Sequence, residues 1–194
     1  MKFLTAIMLL LATSAQAAIL NYSATLTPEG ASGRTGSGFV TVSFDNSNNE
    51  LTFFATFSGL SGLTTQSHFH CCTSLPFAGN SGIAVDSPSL PIPIGVSAGS
   101  FGATLDLDDP SNFNPAYLTA SGGTTGSAIT RLLQGFDDHT AYLNIHSSTF
   151  TGGEIRGFTS QVPEPTSAAL VILALAALGT QKNPRKSTKT LPIQ

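Results

Sequence analysis

Apolar and polar residues alternate through the middle of the chain. In residues 38–45, Val40, Val42 and Phe44 share one face of an extended segment, and residues 50–58 repeat the same two-residue period. This period is typical of a strand that buries one face and exposes the other. The Asn-Ser-Asn-Asn stretch between the two segments has the composition of a tight turn. The pattern therefore predicts an antiparallel hairpin.

Further strand-like patterns occur at residues 21–27, 65–72, 99–105, 139–146 and 154–160. Only residues 127–134 have helical spacing, and the proline-rich residues 87–99 are expected to be irregular. Short strands separated by turns are typical of antiparallel sandwiches and barrels. We therefore expect an all-β fold, an antiparallel Greek-key sandwich or barrel, over residues 18–160.

Residues 1–17 have the layout of a secretory signal peptide. Lys2 precedes an apolar run at residues 3–12, and the small residues Ala15 and Ala17 form a cleavage site. The apolar run is too short to span a bilayer comfortably. We expect cleavage after Ala17 and export of the rest of the chain.

The C-terminal end combines a Pro-Glu-Pro linker, a hydrophobic helix and a basic cytoplasmic tail: residues 161–166 (with Pro163, Glu164 and Pro165), 167–180 and 181–194. A bilayer core needs about 20 helical residues, so this helix is a marginal transmembrane segment. The order of the three parts resembles the PEP-CTERM sorting signal. The resemblance implies a Gram-negative bacterial protein that stays in the inner membrane until an exosortase-type enzyme processes it at the Pro-Glu-Pro. It also implies a final location at the cell surface or in the extracellular matrix of a biofilm, with extracellular polysaccharide as a partner.

The formal charge of the domain excludes some classes of binding partner. Residues 18–160 contain three arginines, no lysine and ten carboxylates. Nucleic acids and anionic membrane surfaces bind clustered Lys and Arg, so we expect neither as a partner. Low charge together with many Gly, Ser and Thr residues suits an extracellular β domain.

The first candidate metal ligands are two histidines in the SHFHCCTS stretch of residues 67–74. On a strand, His68 and His70 point to the same side with Cα atoms about 6.5–7 Å apart, close enough for two imidazoles to bind one ion. Alternation in a later strand places His146 on its outer face and His139 on the opposite one. If the two strands are neighbours, His68, His70 and His146 form a metal site that suits copper or zinc rather than calcium. The alternative is that these histidines are only hydrogen-bonded parts of a β surface.

Cys71 and Cys72 are the only cysteines of the chain. In an oxidising compartment, with no other partner in the chain, they can form a vicinal disulfide that stiffens the loop after His70. They can also stay reduced, or Cys72 can join the histidines as a thiolate ligand. We favour the disulfide and leave the other two states open.

Carboxylates cluster in residues 106–112 and 136–139. Calcium loops use Asp at such spacing, but the glycine and bidentate glutamate of an EF-hand are missing, and ordinary turn chemistry explains the first cluster. The sequence shows no Ser-His-Asp order, glycine-rich phosphate loop or convincing acid–base pair. We therefore name no catalytic residue.

The end of the domain carries the most specific pattern, AYLNIHSSTFTGGEIRGFTS. Glu154 and Arg156 share one face of its last strand, where we expect them to form a structural ion pair. The stretch resembles the closing signature of the CHRD (chordin-like) domain, and a Gly-Leu segment before the His-x-His also matches that family. The matching residues are Gly62, Leu63, His68, His70, Tyr142, Asn144, His146, Gly152, Gly153, Glu154, Ile155, Arg156 and Gly157. The resemblance implies an extracellular β-sandwich and no settled activity.

Two functions from different classes follow. The first is an exported, non-enzymatic surface or matrix module that holds a metal through three histidines. The second is a small copper oxidoreductase, because a His-x-His with a later strand histidine is similar to the copper site of copper/zinc superoxide dismutase. A fourth copper ligand and a zinc loop are not identifiable in the sequence, which favours the first hypothesis.

Overall fold

The computed structural model describes residues 19–30, 33–85 and 90–162. The predicted signal peptide, the Pro-Glu-Pro motif of Pro163, Glu164 and Pro165, and the predicted hydrophobic helix and basic tail therefore lie outside the described residues. The strands are β1 (Ile19–Pro28), β2 (Ser37–Asp45), β3 (Glu50–Ser58), β4 (Thr64–His70), β5 (Ile83–Val85), β6 (Gly99–Asp106), β7 (Tyr142–Ser147), β8 (Ile155–Phe158) and β9 (Ser160–Gln161). The helices are α1 (Pro115–Ala120) and α2 (Thr125–Asp137), with a short 3₁₀ turn at Pro110–Asn112.

All strand pairs are antiparallel, in the order β5-β4-β7-β8-β1-β2-β3-β6, and β9 pairs with β1. Strand β1 joins the two ends of this order. It pairs with β2 from Ile19 to Leu26, and its last two residues, Thr27 and Pro28, pair with β8. We call β2, β3 and β6 the β3 half, and β4, β5, β7 and β8 the β7 half. The curled sheet confirms the predicted all-β, barrel- or sandwich-like fold.

The core lies between the two halves. Phe53 of β3 contacts Phe69 of β4 edge-on, with ring centroids 5.5 Å apart. Helix α2 inserts Phe136 between them and β1, since its ring lies 6.0 Å from Phe69 and 5.1 Å from Tyr22. These aromatic contacts join elements far apart in sequence and bury large apolar areas.

The predicted hairpin of β2 and β3 is confirmed, with continuous register from Ser37–Ser58 to Asp45–Glu50. Several boundaries differ from prediction by a few residues. The strand expected to reach Cys72 ends at His70, and the helix is longer than expected, because Thr124 caps it by accepting a hydrogen bond from the Ser127 amide at 3.2 Å. Helix α1 and strand β5 were not predicted, since each is too short to show a period.

The two halves differ on their outer faces. Strand β3 alternates buried and exposed residues, whereas all six residues of β7 are buried. A covering loop, residues 71–82, lies over the β7 half. Its backbone is held by hydrogen bonds from Cys71 to Gly82 (3.2 Å), from Thr73 to Thr140 (2.9 Å) and from Phe77 to His139 (2.9 Å). Among the described residues, no helix has the length and apolar character to cross a membrane.

Candidate metal centre

Strands β4 and β7 are direct neighbours, as the predicted three-histidine site requires. His68 lies opposite Asn144, and Gln66 lies opposite His146. Because side chains alternate along a strand, His68, His70 and His146 share the outer face of the sheet. The covering loop and the loop after β7 then enclose this face.

The three imidazoles converge on one point. One ligating atom of each of His68, His70 and His146 lies within 4.8 Å of the other two. The residues are 3%, 8% and 6% exposed. Each has one buried ring nitrogen without a hydrogen-bond partner: Nδ1 of His68, Nε2 of His70 and Nε2 of His146. Three unpartnered lone pairs in one buried cluster form a donor set suited to copper or zinc.

Backbone carbonyls orient two of the rings. His70 Nδ1 lies 2.9 Å from the Ser81 carbonyl oxygen, and His146 Nδ1 lies 2.8 Å from that of Thr151. A carbonyl only accepts, so each Nδ1 carries the proton and each Nε2 presents its lone pair. This arrangement is the usual support of a metal-binding histidine.

The surroundings of His68 and His70 lower the pKa of both and so favour their neutral form. Burial, together with the neighbouring His146 and His70, lowers the pKa of His68 to about 4. Burial also lowers the pKa of His70; the hydrogen bond to Ser81 opposes the shift, and His146 and Arg156 add to it. Neutral imidazole is the form that binds a metal ion.

Aromatic and cationic groups pack against the histidines. Tyr142 stacks on His70 with ring centroids 4.9 Å apart and an angle of 3° between the planes. Arg156 lies over Tyr142, its guanidinium carbon 5.0 Å from the ring centroid, and over Phe158 at 5.2 Å. Arg156 also donates to Gly79 and Asn80 of the covering loop, at 2.9 and 2.7 Å. The stack therefore ties the loop to the site.

The predicted ion pair between Glu154 and Arg156 is wrong. Arg156 pairs instead with Glu29, at 3.1 Å, because Glu29 follows β1 and β1 lies beside β8. Glu29 also accepts a hydrogen bond from Asn144 Nδ2 at 3.0 Å. A Cβ at Gly153, where φ is +128°, would overlap both the Glu29 carboxylate and the Asn144 amide, so the glycine makes this contact possible.

Glu154 has a different role. It is fully buried and accepts hydrogen bonds from the Ser61 amide and hydroxyl, at 2.5 and 2.6 Å, and from the Gly62 amide at 3.3 Å. Burial raises its pKa, but the hydrogen bonds from Ser147, Ser61 and Gly62 outweigh burial and lower the pKa overall. Glu154 therefore fastens the loop before β4 to the start of β8.

Cys71 and Cys72 are joined in a disulfide, and neither sulfur belongs to the histidine cluster. The two sulfurs lie 3.8 and 3.6 Å from the Arg131 carbonyl oxygen of α2. Gly135 on the same helix faces both of them at close range. The bridge therefore holds the start of the covering loop against α2.

The first acidic stretch forms a turn, and the second lies at the C-terminal end of α2. Asp109 accepts from the Ser111 amide at the start of the 3₁₀ turn, and Asp106 accepts from the Asp108 amide, both at 2.9 Å. Asp137 accepts from the Tyr22 hydroxyl at 3.0 Å. Across residues 19–30, 33–85 and 90–162, the three histidines are the only group of three or more candidate ligands, and the acidic residues form none.

His139 lies away from the cluster. It precedes β7 in a turn with φ of +57°, stacks on Phe77 at 4.4 Å, and places Nδ1 2.9 Å from the Thr159 carbonyl oxygen. Sequence analysis missed two residues of the site, Glu29 and Ser81. Both lie outside periodic segments, so no pattern in the sequence could have indicated them.

Comparisons with known proteins complete this description. Neither curated proteins nor solved structures contained a match to the chain. The family model of the CHRD domain matches residues 17–159, which is more than half of the 194 residues and includes every member of the histidine cluster. The chain therefore belongs to the CHRD domain family.

Proposed function

We propose that this CHRD domain protein is an exported surface or matrix module that holds one copper or zinc ion through His68, His70 and His146. The observation that carries the proposal is the cluster of three buried imidazoles, each with an unpartnered nitrogen. The purely structural alternative leaves three buried polar atoms unsatisfied. Each such atom costs roughly 1–3 kcal/mol, and one bound ion satisfies all three.

The donor set favours copper or zinc. Imidazole nitrogen suits both metals, whereas calcium and magnesium prefer oxygen ligands. The backbone carbonyls of Ser81 and Thr151 hold two rings in the tautomer that binds metal. The chain's own contribution would be to keep three buried imidazoles aimed at one point under a covering loop.

Metal binding is the role that the observed donor set supports. The histidines are at most 8% exposed, and the described residues add no fourth histidine and no zinc loop of the dismutase type. We therefore do not extend the oxidoreductase hypothesis to this protein. Export to an oxidising compartment agrees with the Cys71–Cys72 disulfide.

Metal content tests the site directly. The full chain, exported in a bacterial host and loaded with copper or zinc, is expected to contain about one ion per molecule by elemental mass spectrometry. His146→Ala should lose the ion. His139→Ala is the matched control, because it removes a histidine outside the cluster and should keep the ion. An empty wild-type protein, or equal loss in both variants, would refute the proposal.

We further propose that the C-terminal segment sorts the protein by a PEP-CTERM mechanism, with an exosortase-type enzyme acting while the inner membrane still holds the chain. Extracellular polysaccharide is the partner proposed for the released domain. Glu164→Ala is expected to accumulate in the inner membrane of the native host, whereas the wild type reaches the surface fraction. Equal distribution of the two proteins would exclude processing at this motif.

A further inference from the structure

Two oxygen atoms share the condition of the three imidazole nitrogens. Asn144 Oδ1 and Ser81 Oγ are buried and have no hydrogen-bond partner. Together with the nitrogens of the three histidines they are all of the buried, unpartnered side-chain atoms found in the described part of the chain. Native proteins satisfy nearly all such atoms, so five in residues that pair with or contact one another point to something that binds there.

Asn144 is placed among the histidines. It lies opposite His68 in the β4–β7 pairing and two residues before His146, on the same face. Side chains directly opposite in an antiparallel pair have Cβ atoms about 4.5–5.5 Å apart. Asn144 is 2% exposed. Its side chain therefore faces the enclosed space of the cluster.

The orientation of the Asn144 amide is also determined. Nδ2 donates to Glu29 Oε2 at 3.0 Å, and Glu29 Oε1 is held by Arg156 at 3.1 Å. A carboxylate only accepts, so the NH₂ group faces Glu29, and the carbonyl oxygen takes the other position of the amide, beside Gly153. The Glu29–Arg156 pair thus acts as a positioning device for Asn144 Oδ1.

Ser81 borders the cluster from the covering loop. Its carbonyl oxygen orients His70, and its amide donates to the Tyr142 hydroxyl at 3.3 Å. Both backbone contacts are made to side chains that stack on each other. The remaining Ser81 hydroxyl is free to interact with a group inside the site.

We propose that Asn144 Oδ1 and Ser81 Oγ hold a water molecule that serves as the fourth ligand of the metal. This inference rests on the proposed function, because it requires a metal on the three histidines. A metal with three protein ligands leaves at least one coordination position that water can fill. The Asn144 oxygen accepts hydrogen bonds and cannot donate them, so the position favours a ligand with O–H groups over a simple anion.

The test uses the full chain loaded with Cu²⁺. Part of the Cu²⁺ spin density is delocalised onto the oxygen of a bound water, so water enriched in ¹⁷O is expected to broaden the Cu²⁺ electron paramagnetic resonance lines of the wild type. Asn144→Leu should lower the Cu²⁺ affinity by about 10–100-fold and shift the spectrum, as expected for loss of a group that supports a metal ligand. Ser81→Ala should act in the same direction. It keeps the backbone carbonyl that orients His70 and changes only a loop side chain, so it tests the inference even if Asn144→Leu fails to fold.

The outcomes separate this inference from the proposed function. If the wild type binds no Cu²⁺, the metal site itself is refuted. If it binds Cu²⁺ and His146→Ala does not, but ¹⁷O-water causes no broadening, the metal site stands and the water is refuted. Wild-type affinity and spectrum in both Asn144→Leu and Ser81→Ala would likewise overturn the role of the two oxygens.

Discussion

The two halves of the sheet have the same strand geometry, but they bury different kinds of residue. In the β3 half, strand β3 buries Leu51, Phe53, Ala55 and Phe57 and exposes the residues between them. In the β7 half, strand β7 buries both its apolar inner face and a polar outer face that includes Asn144 and His146. Apolar packing accounts for the burial pattern of the β3 half, but it does not account for the buried polar face of the β7 half.

Burial of a polar face opposes stability unless its groups find partners. The β7 half meets part of this requirement with the Glu29–Arg156 pair and with carbonyls that accept from the histidines. Within the described residues, five buried side-chain atoms remain unsatisfied: three belong to the histidines, and two belong to Asn144, which pairs with His68, and to Ser81, whose carbonyl contacts His70. Buried polar atoms without partners lower stability, and a group of them is typical of a functional site.

Gly153→Ala, in the β7 half, is expected to cause the largest loss of stability. Its Cβ would overlap Glu29 and Asn144, and its φ of +128° strains any other residue, so the free energy of unfolding should fall by roughly 2–5 kcal/mol. Gly152→Ala is the control, because a Cβ there meets nothing within 4 Å, and it should stay within about 0.5 kcal/mol. Urea denaturation measures both. Equal losses in the two variants would contradict the packing described around Asn144.

Metal linkage gives the next largest effect. Zinc at about a hundred times its dissociation constant should raise the free energy of unfolding by about 2.7 kcal/mol, because it binds the native state. His146→Ala should lose this gain. Thr41→Ala, on the exposed face of β2, should keep it. Denaturation with and without a chelator measures the gain, and a gain that survives in His146→Ala would assign the zinc to another site.

The metal-free protein should lose stability as the pH falls from 7 to 5. An unfolded histidine takes up a proton near pH 6.5, whereas burial keeps His68 neutral in the native state down to its pKa of about 4. The unfolded state therefore binds more protons throughout this window, and the loss reaches about 2 kcal/mol at pH 5 before levelling off near pH 4.

His68→Gln isolates that contribution. The variant should show a flatter dependence of unfolding free energy on pH over the same window, which lies above the titration range of the carboxylates. Chemical denaturation at pH 7, 6 and 5 measures both proteins. Parallel curves would mean that His68 titrates normally and that its environment is solvated.

Strict alternation explains how much of this could be predicted from the sequence. The β2–β3 hairpin and the outward placement of His68, His70 and His146 follow from a two-residue period. The period says which face a residue occupies, but it does not say what covers that face. The covering loop has no period, so the burial of the outer face of β7 could be seen only in the structure.

The error over Arg156 has a related cause. Its pairing with Glu154 was predicted from two positions on one strand, yet β8 begins at Ile155 and Glu154 turns toward Ser61. The true partner, Glu29, directly follows β1, which the order of the sheet places beside β8. Spacing along one chain segment therefore predicts faces well and cross-strand partners poorly.

The smallest effects on stability are expected when one hydroxyl is removed from each half. Thr52 shares a 2.8 Å hydrogen bond with Thr104 on the exposed face of the β3 half, so Thr52→Ala should change stability by no more than about 0.5 kcal/mol, since water replaces the partner. The Tyr142 hydroxyl accepts from the Ser81 amide beneath the covering loop, so Tyr142→Phe should cost about 1 kcal/mol or more by leaving that amide unpaired. Urea denaturation of the two variants measures the difference. If both changes proved equally small, water would have to reach the outer face of β7 as freely as that of β3, and the covering loop would not exclude solvent from the histidines.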